Sequence, residues 1–190
     1  MALVGILLAA GRGRRFDPSG ARNKLLQWLP GGEVVVAASA RRLLACVPRV
    51  VAVVAPGDGG VADVLRALGC EVTVCADADT GMGASLVHAV RHALPAEGWL
   101  VALGDMPFVQ DATLTVLRDA VVAGADIAAP VYGGRRGNPV AFGARHRDAL
   151  LALGGDQGAR RLLSNHPVTE VAVDDRGILR DIDNPSDLPE

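Results

Sequence analysis

Continuous apolar runs, set off by stretches rich in Gly and Pro, constrain the fold of this chain most strongly. They are rich in Val and Leu and lack strict polar–apolar alternation, which is typical of strands buried on both faces of a parallel sheet. The sequence therefore predicts parallel strands at residues 3–9, 50–55, 71–76, 99–103 and 126–131.

Helical patterns lie between these runs, with apolar residues three and four positions apart. The predicted helices cover residues 34–46, 61–68, 84–94 and 111–122. Gly69 is placed to end the second helix, and Asp111 to cap the fourth at its N-terminus. The alternation predicts an α/β fold, a three-layer α/β/α sandwich around a mostly parallel, Rossmann-like sheet.

The C-terminal third breaks this alternation. Residues 133–137 are rich in turn formers, and two later segments, 168–173 and 177–183, have strand-like patterns. We expect a hairpin and edge strands there, as antiparallel additions to the same sheet.

Composition narrows the class of protein. At 190 residues the chain fits one domain, which we expect to cover residues 1–190. A net charge of −2 and 3% aromatic residues argue against a nucleic-acid partner. The three cysteines have neither disulfide nor zinc spacing, and no apolar run reaches the ~20 residues of a membrane span. These features indicate a soluble, cytoplasmic protein without a membrane partner.

A glycine-rich, cationic loop follows the first predicted strand. Gly11 and Gly13 would let backbone N–H groups approach an anion, and Arg15 and Lys24 could contact a polyphosphate. The loop lacks the Gly-Lys-Ser/Thr ending of a Walker A motif, and Phe16 stands where the dinucleotide fingerprint has its third glycine. From spacing alone, a nucleotide loop and a solvated surface loop remain alternatives.

An acidic residue, Asp105, follows the fourth predicted strand directly. A carboxylate at the tip of a buried strand needs a partner, and Mg²⁺ would supply one, although a turn or cap Asp is the alternative. Near the C-terminus, Asp181 and Asp183 would share one face while Ile182 points into the core. Asp183 is the better placed to meet Asp105, and Asp181 could equally be a surface charge.

Taken in order, these pieces resemble the MobA-like nucleotidyltransferases, and within that family the molybdenum cofactor cytidylyltransferases. The first loop is similar to the signature L-x-A-G-x-G-x-R-M…K, with Phe16 in place of Met. The other matching segments are residues 81–85, 104–107, 137–140 and 181–185. Two departures stand out: an insertion at residues 17–20, and Asn138 where the cytidylyltransferases usually have His.

The resemblance implies a role for each matching residue. Arg15, Lys24 and Asp105 would be catalytic, and Asp105 and Asp183 would hold Mg²⁺. The nucleotide-binding residues would be Leu8, Ala9, Ala10, Gly11, Arg12, Gly13, Gly81, Ser85 and Asn138. For Ser85, a plain helix cap is an equal alternative.

The resemblance also implies an activity. The chain would transfer a nucleoside monophosphate from a nucleoside triphosphate to a phosphorylated acceptor, with molybdopterin as the leading acceptor, and release pyrophosphate. In the family, Ala-Ala-Gly at residues 9–11 goes with CTP. The alternatives are a guanylyltransferase using GTP, an NAD(P)H-dependent oxidoreductase on the same fold, and a non-catalytic nucleotide-binding protein. A molybdoenzyme or its chaperone is a candidate protein partner.

Overall fold

The computed structural model describes residues 2–154 and 158–189, in which eight strands form one sheet. The strands are β1 (Val4–Ala9), β2 (Val50–Val54), β3 (Glu71–Val74), β4 (Gly98–Leu103), β5 (Ile127–Tyr132), β6 (Arg135–Arg136), β7 (Val140–Gly143) and β8 (Thr169–Ala172). Their order across the sheet is β3-β2-β1-β4-β7-β5-β6, and β8 also pairs with β5. The first four strands are parallel, as the apolar runs predict.

Helices cover both faces of the sheet. They are α1 (Val35–Cys46), α2 (Val61–Ala67), α3 (Met82–His92), α4 (Asp111–Val122), α5 (Arg147–Leu151) and α6 (Arg160–Asn165). One apolar core joins the sheet to α1, α2 and α4, and a second joins it to α3, α5 and α6. The predicted three-layer sandwich is confirmed. In the described part of the chain, no helix combines the length and apolar character that a membrane crossing requires.

The C-terminal additions are arranged differently from the prediction. Strand β7 is antiparallel, as expected, but it lies inside the sheet between β4 and β5. Strand β8 is parallel to β5 instead of antiparallel. Strand β3 is at the sheet edge, so its residues are exposed or half-buried, and the prediction of burial on both faces is wrong there.

The predicted strand over residues 177–183 is also wrong. The chain forms a 3-10 helix at Arg176–Leu179 and then runs on without regular structure. The side chain of Asp175 accepts a hydrogen bond from Gly177 N at 2.8 Å, which turns the backbone. Gly177 packs so closely on Phe108 that an added Cβ would collide with the carbonyl oxygen of that residue.

Asp111 does not cap α4. Gln110 occupies the N-cap position, and Asp111 is the first helical residue. The buried carboxylate of Asp175, far along the chain, accepts hydrogen bonds from Gln110 N at 2.8 Å and Thr113 Oγ1 at 2.6 Å. A long-range carboxylate therefore satisfies the helix start that local spacing assigned to Asp111.

Candidate active site

The site lies where β1 and β4 end side by side. Leu8 pairs with Leu103 in the parallel register, and Gly104 N then donates to the Leu8 carbonyl at 2.9 Å. A Cβ on Gly104 would lie 3.2 Å from both that oxygen and the Ala9 Cβ. Because position 104 is glycine, the loop after β1 and the turn at Asp105 can lie close together. Ligand sites of parallel sheets form at this place, beyond the carboxyl ends of the strands.

Three carboxylates converge at this edge. One oxygen from each of Asp105, Asp181 and Asp183 lies within 4.8 Å of the others. A backbone hydrogen bond of 2.8 Å from Ile182 N to the Asp105 carbonyl joins the two segments. Ile182 is fully buried, as predicted, so its two acidic neighbours turn toward Asp105. The structure brings both C-terminal carboxylates to the cluster, although the sequence favoured Asp183.

Two cations complete the cluster. Lys24 Nζ lies 2.7 Å from Asp105 Oδ2 and 3.0 Å from Asp183 Oδ1. Arg15 lies 2.7 Å from the other oxygen of Asp183. Burial by itself would lower the pKa of Lys24, but the charges and hydrogen bonds of Asp105 and Asp183 outweigh it and raise that pKa above its ordinary value. Lys24 is therefore charged at neutral pH.

The carboxylates are suited to a divalent cation. Burial raises the pKa of Asp181, and the nearby charges of Asp183 and Asp105 raise it further. A hard cation would relieve this repulsion, and carboxylate oxygens are the ligands that Mg²⁺ and Mn²⁺ prefer. Asp187 holds the segment in place by accepting from Asp183 N at 2.9 Å and Asn184 N at 2.6 Å. The donor set therefore fits the predicted metal.

The glycine-rich loop lines a cleft of about 1050 Å³ beside the cluster. Leu8, Gly11 and Arg12 all face this cleft. Gly13 has a positive φ of +60°, which favours glycine, and its backbone covers the alkyl stem of Lys24. Arg12 forms an ion pair with Asp79, which lies in the 3-10 helix Ala78–Thr80 before α3.

Four residues predicted to bind nucleotide lie outside the cleft lining. Ala9 and Ala10 are buried at the end of β1, and Gly81 precedes α3 as its N-cap. Ser85 is buried on the inner face of α3, whereas Met82 and Leu86 of the same helix line the cleft. Helix α3 begins two residues earlier than predicted, and Ser85 makes no side-chain cap hydrogen bond. The cap alternative for Ser85 is thus wrong.

The other wall of the cleft carries Asn138. Its backbone N–H donates to the Ile178 carbonyl at 3.0 Å. Gly137 is packed against the same carbonyl, where an added Cβ would collide. Strand β6 precedes this loop and presents its two arginines to the cleft. Arg135 and Arg136 were not among the residues predicted from the sequence, although two arginines directly before the 137–140 motif are a visible signal.

Comparison with known proteins places this geometry in context. The family model described as MobA-like NTP transferase domain matches residues 5–171. No curated protein matches the chain significantly.

Several solved structures share the fold along nearly the whole chain. Rv0371c from Mycobacterium tuberculosis H37Rv is 29% identical, with a TM-score of 0.82 and coverage of 98% of this chain and 96% of that one. The structure of Rv0371c in complex with manganese is similar at 27% identity, with a TM-score of 0.80 and the same coverage. A nucleotidyl transferase from Methanothermobacter thermautotrophicus is 27% identical, with a TM-score of 0.83 and coverage of 98% and 94%.

Proposed function

Because the chain belongs to the MobA-like NTP transferase family, we propose that it transfers a nucleoside monophosphate, preferably CMP, from a nucleoside triphosphate to a phosphorylated acceptor. Molybdopterin is the leading acceptor, and pyrophosphate is the second product. The reaction would take place in the cytoplasm, within one domain covering residues 1–190.

The observation that carries the proposal is the meeting of the acidic cluster and the cationic loop in one cleft. Asp105 and Asp183 lie 78 residues apart in the sequence, and Lys24 contacts both. Asp105, Asp181 and Asp183 would hold Mg²⁺, which would neutralise charge on the phosphate oxygens. The manganese complex of Rv0371c supports a divalent cation in a protein of this fold.

The chemistry needs positioning and charge more than it needs a strong base. An acceptor phosphate oxygen would attack the α-phosphorus, forming the new P–O bond while the bond to the β-phosphate oxygen breaks and pyrophosphate leaves. Lys24 and Arg15 would stabilise the negative charge that builds on the pyrophosphate. Backbone N–H groups of the loop around Gly11 and Gly13 would hold the triphosphate in line.

The preference for CTP rests on the Ala9-Ala10-Gly11 sequence at the end of β1. Both alanines are buried, and their methyl groups pack on opposite faces of the sheet, Ala9 in the core with α1, α2 and α4 and Ala10 in the core with α3. Small side chains packed in this way would fix the path of the loop backbone. The loop would then favour a nucleotide base of one size over another.

The far wall of the cleft supports an anionic acceptor. Arg135 and Arg136 line it from β6, and Arg160 lines it from α6. Arg136 is partly neutralised by an ion pair of 2.6 Å with Glu170. Guanidinium groups recognise phosphate with paired hydrogen bonds, so this wall suits the phosphate that acts as nucleophile.

A pyrophosphate-release screen tests the proposal. The four nucleoside triphosphates are each incubated with molybdopterin and with small phosphorylated acceptors, with Mg²⁺ and with a chelator. We expect release that depends on both the metal and an acceptor and is fastest with CTP. Oxidation of a reduced nicotinamide without metal would instead support an oxidoreductase, and tight CTP binding without release from any acceptor would support a binding protein.

A further inference from the structure

Lys24 occupies the space between two of the proposed metal ligands. Its ammonium group lies 2.7 Å from Asp105 Oδ2 and 3.0 Å from Asp183 Oδ1. Mg²⁺ binds carboxylate oxygens at about 2.0–2.1 Å and tolerates little distortion. A cation bridging these two carboxylates would therefore compete with the ammonium group for the same oxygens.

The backbone of Lys24 is fixed, so only its side chain can move away. Lys24 opens a 3-10 helix that runs to Leu26, and the Asn23 side chain accepts from Leu25 N at 2.9 Å. Leu25 is buried in the core. The alkyl stem of Lys24 lies below Gly13, so a side-chain rotation would carry the ammonium group from the carboxylates toward the glycine-rich loop.

Lys24 is better suited to this exchange than Arg15. The side chain of Lys24 is 9% exposed, whereas that of Arg15 is 77% exposed. A buried charge is costly without a partner, while an exposed ion pair contributes little. Among 19 Lys and Arg residues in the sequence, Lys24 is the only lysine. Its compact group with rotatable donors can change partners more easily than a planar guanidinium.

We infer that Lys24 is an internal counter-ion of Asp105 and Asp183, which a divalent cation must displace and which the phosphates of the nucleotide then accept. This inference rests on the proposed function for the nucleotide as the second partner. Without nucleotide, the displaced ammonium group finds no anionic group to replace the two carboxylates, so the cation binds weakly. With nucleotide, the phosphates replace the carboxylates around Lys24, so metal and nucleotide strengthen each other's binding by the same factor.

The first test measures Mn²⁺ binding by electron paramagnetic resonance in the absence of nucleotide. Lys24→Met removes the ammonium group and keeps an unbranched apolar side chain as long as the alkyl stem of lysine. Arg14→Met removes one positive charge from the same cleft without releasing either carboxylate, and serves as the matched control. We expect Lys24→Met to bind Mn²⁺ at least about tenfold tighter than the wild type, and Arg14→Met to change the affinity by less than about threefold.

The second test uses the wild-type chain, so it does not depend on the folding of a variant. Lysine labelled with ¹³C at the ε carbon gives one side-chain signal, because the sequence has one lysine. We expect that signal to shift when Mg²⁺ is added, and to shift again when a CTP analogue with a methylene bridge between the α- and β-phosphates is added.

Four results separate the hypotheses. Equal Mn²⁺ affinity in the wild type and in folded Lys24→Met would overturn the inference, as would an unchanged lysine signal under saturating Mg²⁺. Equal strengthening of Mn²⁺ binding by both substitutions would also overturn it, because net charge would then explain the effect. Failure of the analogue to bind at all would overturn the proposed transfer reaction and leave the competition between Lys24 and the cation standing.

Discussion

Lys24 Nζ donates a hydrogen bond of 2.7 Å to Asp105 Oδ2, across 81 residues of sequence. The contact joins two segments: Lys24 follows the glycine-rich loop after β1, and Asp105 follows β4. Strands β1 and β4 are neighbours in the sheet. It shows that the cationic and acidic motifs share one site. The loop lines this charged cleft although most of its residues are exposed, so its role in binding nucleotide stays a proposal.

Removal of Asp105 is expected to stop catalysis without unfolding the chain. Asp105→Ala should lower the rate of pyrophosphate release at least about a hundredfold, because a lost metal ligand removes several kcal/mol of transition-state stabilisation. Lys24 would keep its contact with Asp183, so the thermal midpoint should change little. Asp63→Ala, on the exposed face of α2, is the control and should retain normal turnover. Near-normal turnover in Asp105→Ala would exclude Asp105 from the mechanism.

The preference for CTP over GTP should depend on the side chain of Ala10. We expect Ala10→Gly to lower the ratio of kcat/KM for CTP over GTP by about tenfold, in line with the usual effect of one carbon group in a tight site. Ala10 is 9% exposed, so the change would act by loosening the loop backbone. Ala62→Gly removes an equally buried methyl group from α2 and should leave the ratio unchanged. The same ratio in wild type and Ala10→Gly would reject this role for the end of β1.

The loop around Asn138 should not tolerate a side chain at Gly137. In Gly137→Ala the new Cβ would collide with the Ile178 carbonyl, so the loop must move. We expect a loss of about 1–3 kcal/mol in the free energy of unfolding and a raised KM for the acceptor. Gly31→Ala, whose Cβ would meet open space, is the matched control. An unchanged acceptor KM in Gly137→Ala would separate this loop from acceptor binding.

Stability should fall in mild acid because of His146. Burial lowers the pKa of this imidazole, and the nearby charge of His166 lowers it further. Its folded pKa thus lies below the ordinary value of about 6.5, so the unfolded chain takes up the proton first and stability declines as pH falls below that value. The slope for one proton cannot exceed about 1.4 kcal/mol per pH unit.

The measurement is the urea midpoint between pH 8 and pH 5, as a comparison of variants. We expect His146→Gln to flatten the pH dependence, and the part that remains to come from His88, whose pKa is also lowered by burial and by the charges of His92 and Arg91. A slope in His146→Gln equal to that of the wild type would assign the acid sensitivity to other groups.

The sequence predicted the parallel half of the sheet well, because uninterrupted apolar runs have few ways to be buried. Strands β1, β2 and β4 end within one residue of their predicted positions. The strand prediction at residues 177–183 failed, since the Asp175 side chain turns the backbone at Gly177, and Gly177 packs against the carbonyl of the distant Phe108. A local sequence pattern does not indicate a long-range contact such as that between Gly177 and Phe108.

The site was predicted unevenly for the same reason. Asp105 and Lys24 stand at positions that strand topology alone brings to one edge, so their proximity could be anticipated. The position of Ser85 in its helix could not, because α3 begins two residues earlier than predicted and Ser85 is its fourth residue, beyond the capping position. Asp175, which accepts a hydrogen bond from Gln110 at the start of α4 across 65 residues of sequence, gave no local signal for this role.

The hydrogen bond from Ile182 N to the Asp105 carbonyl has a consequence for synthesis of the chain. During translation, β1 to β4 are made before residues 181–183, so these strands can pair while the carboxylates of Asp181 and Asp183 are still missing. A nascent chain would therefore carry paired strands with an incomplete acidic cluster, and its capacity for chemistry would begin only once residues 181–183 have joined Asp105.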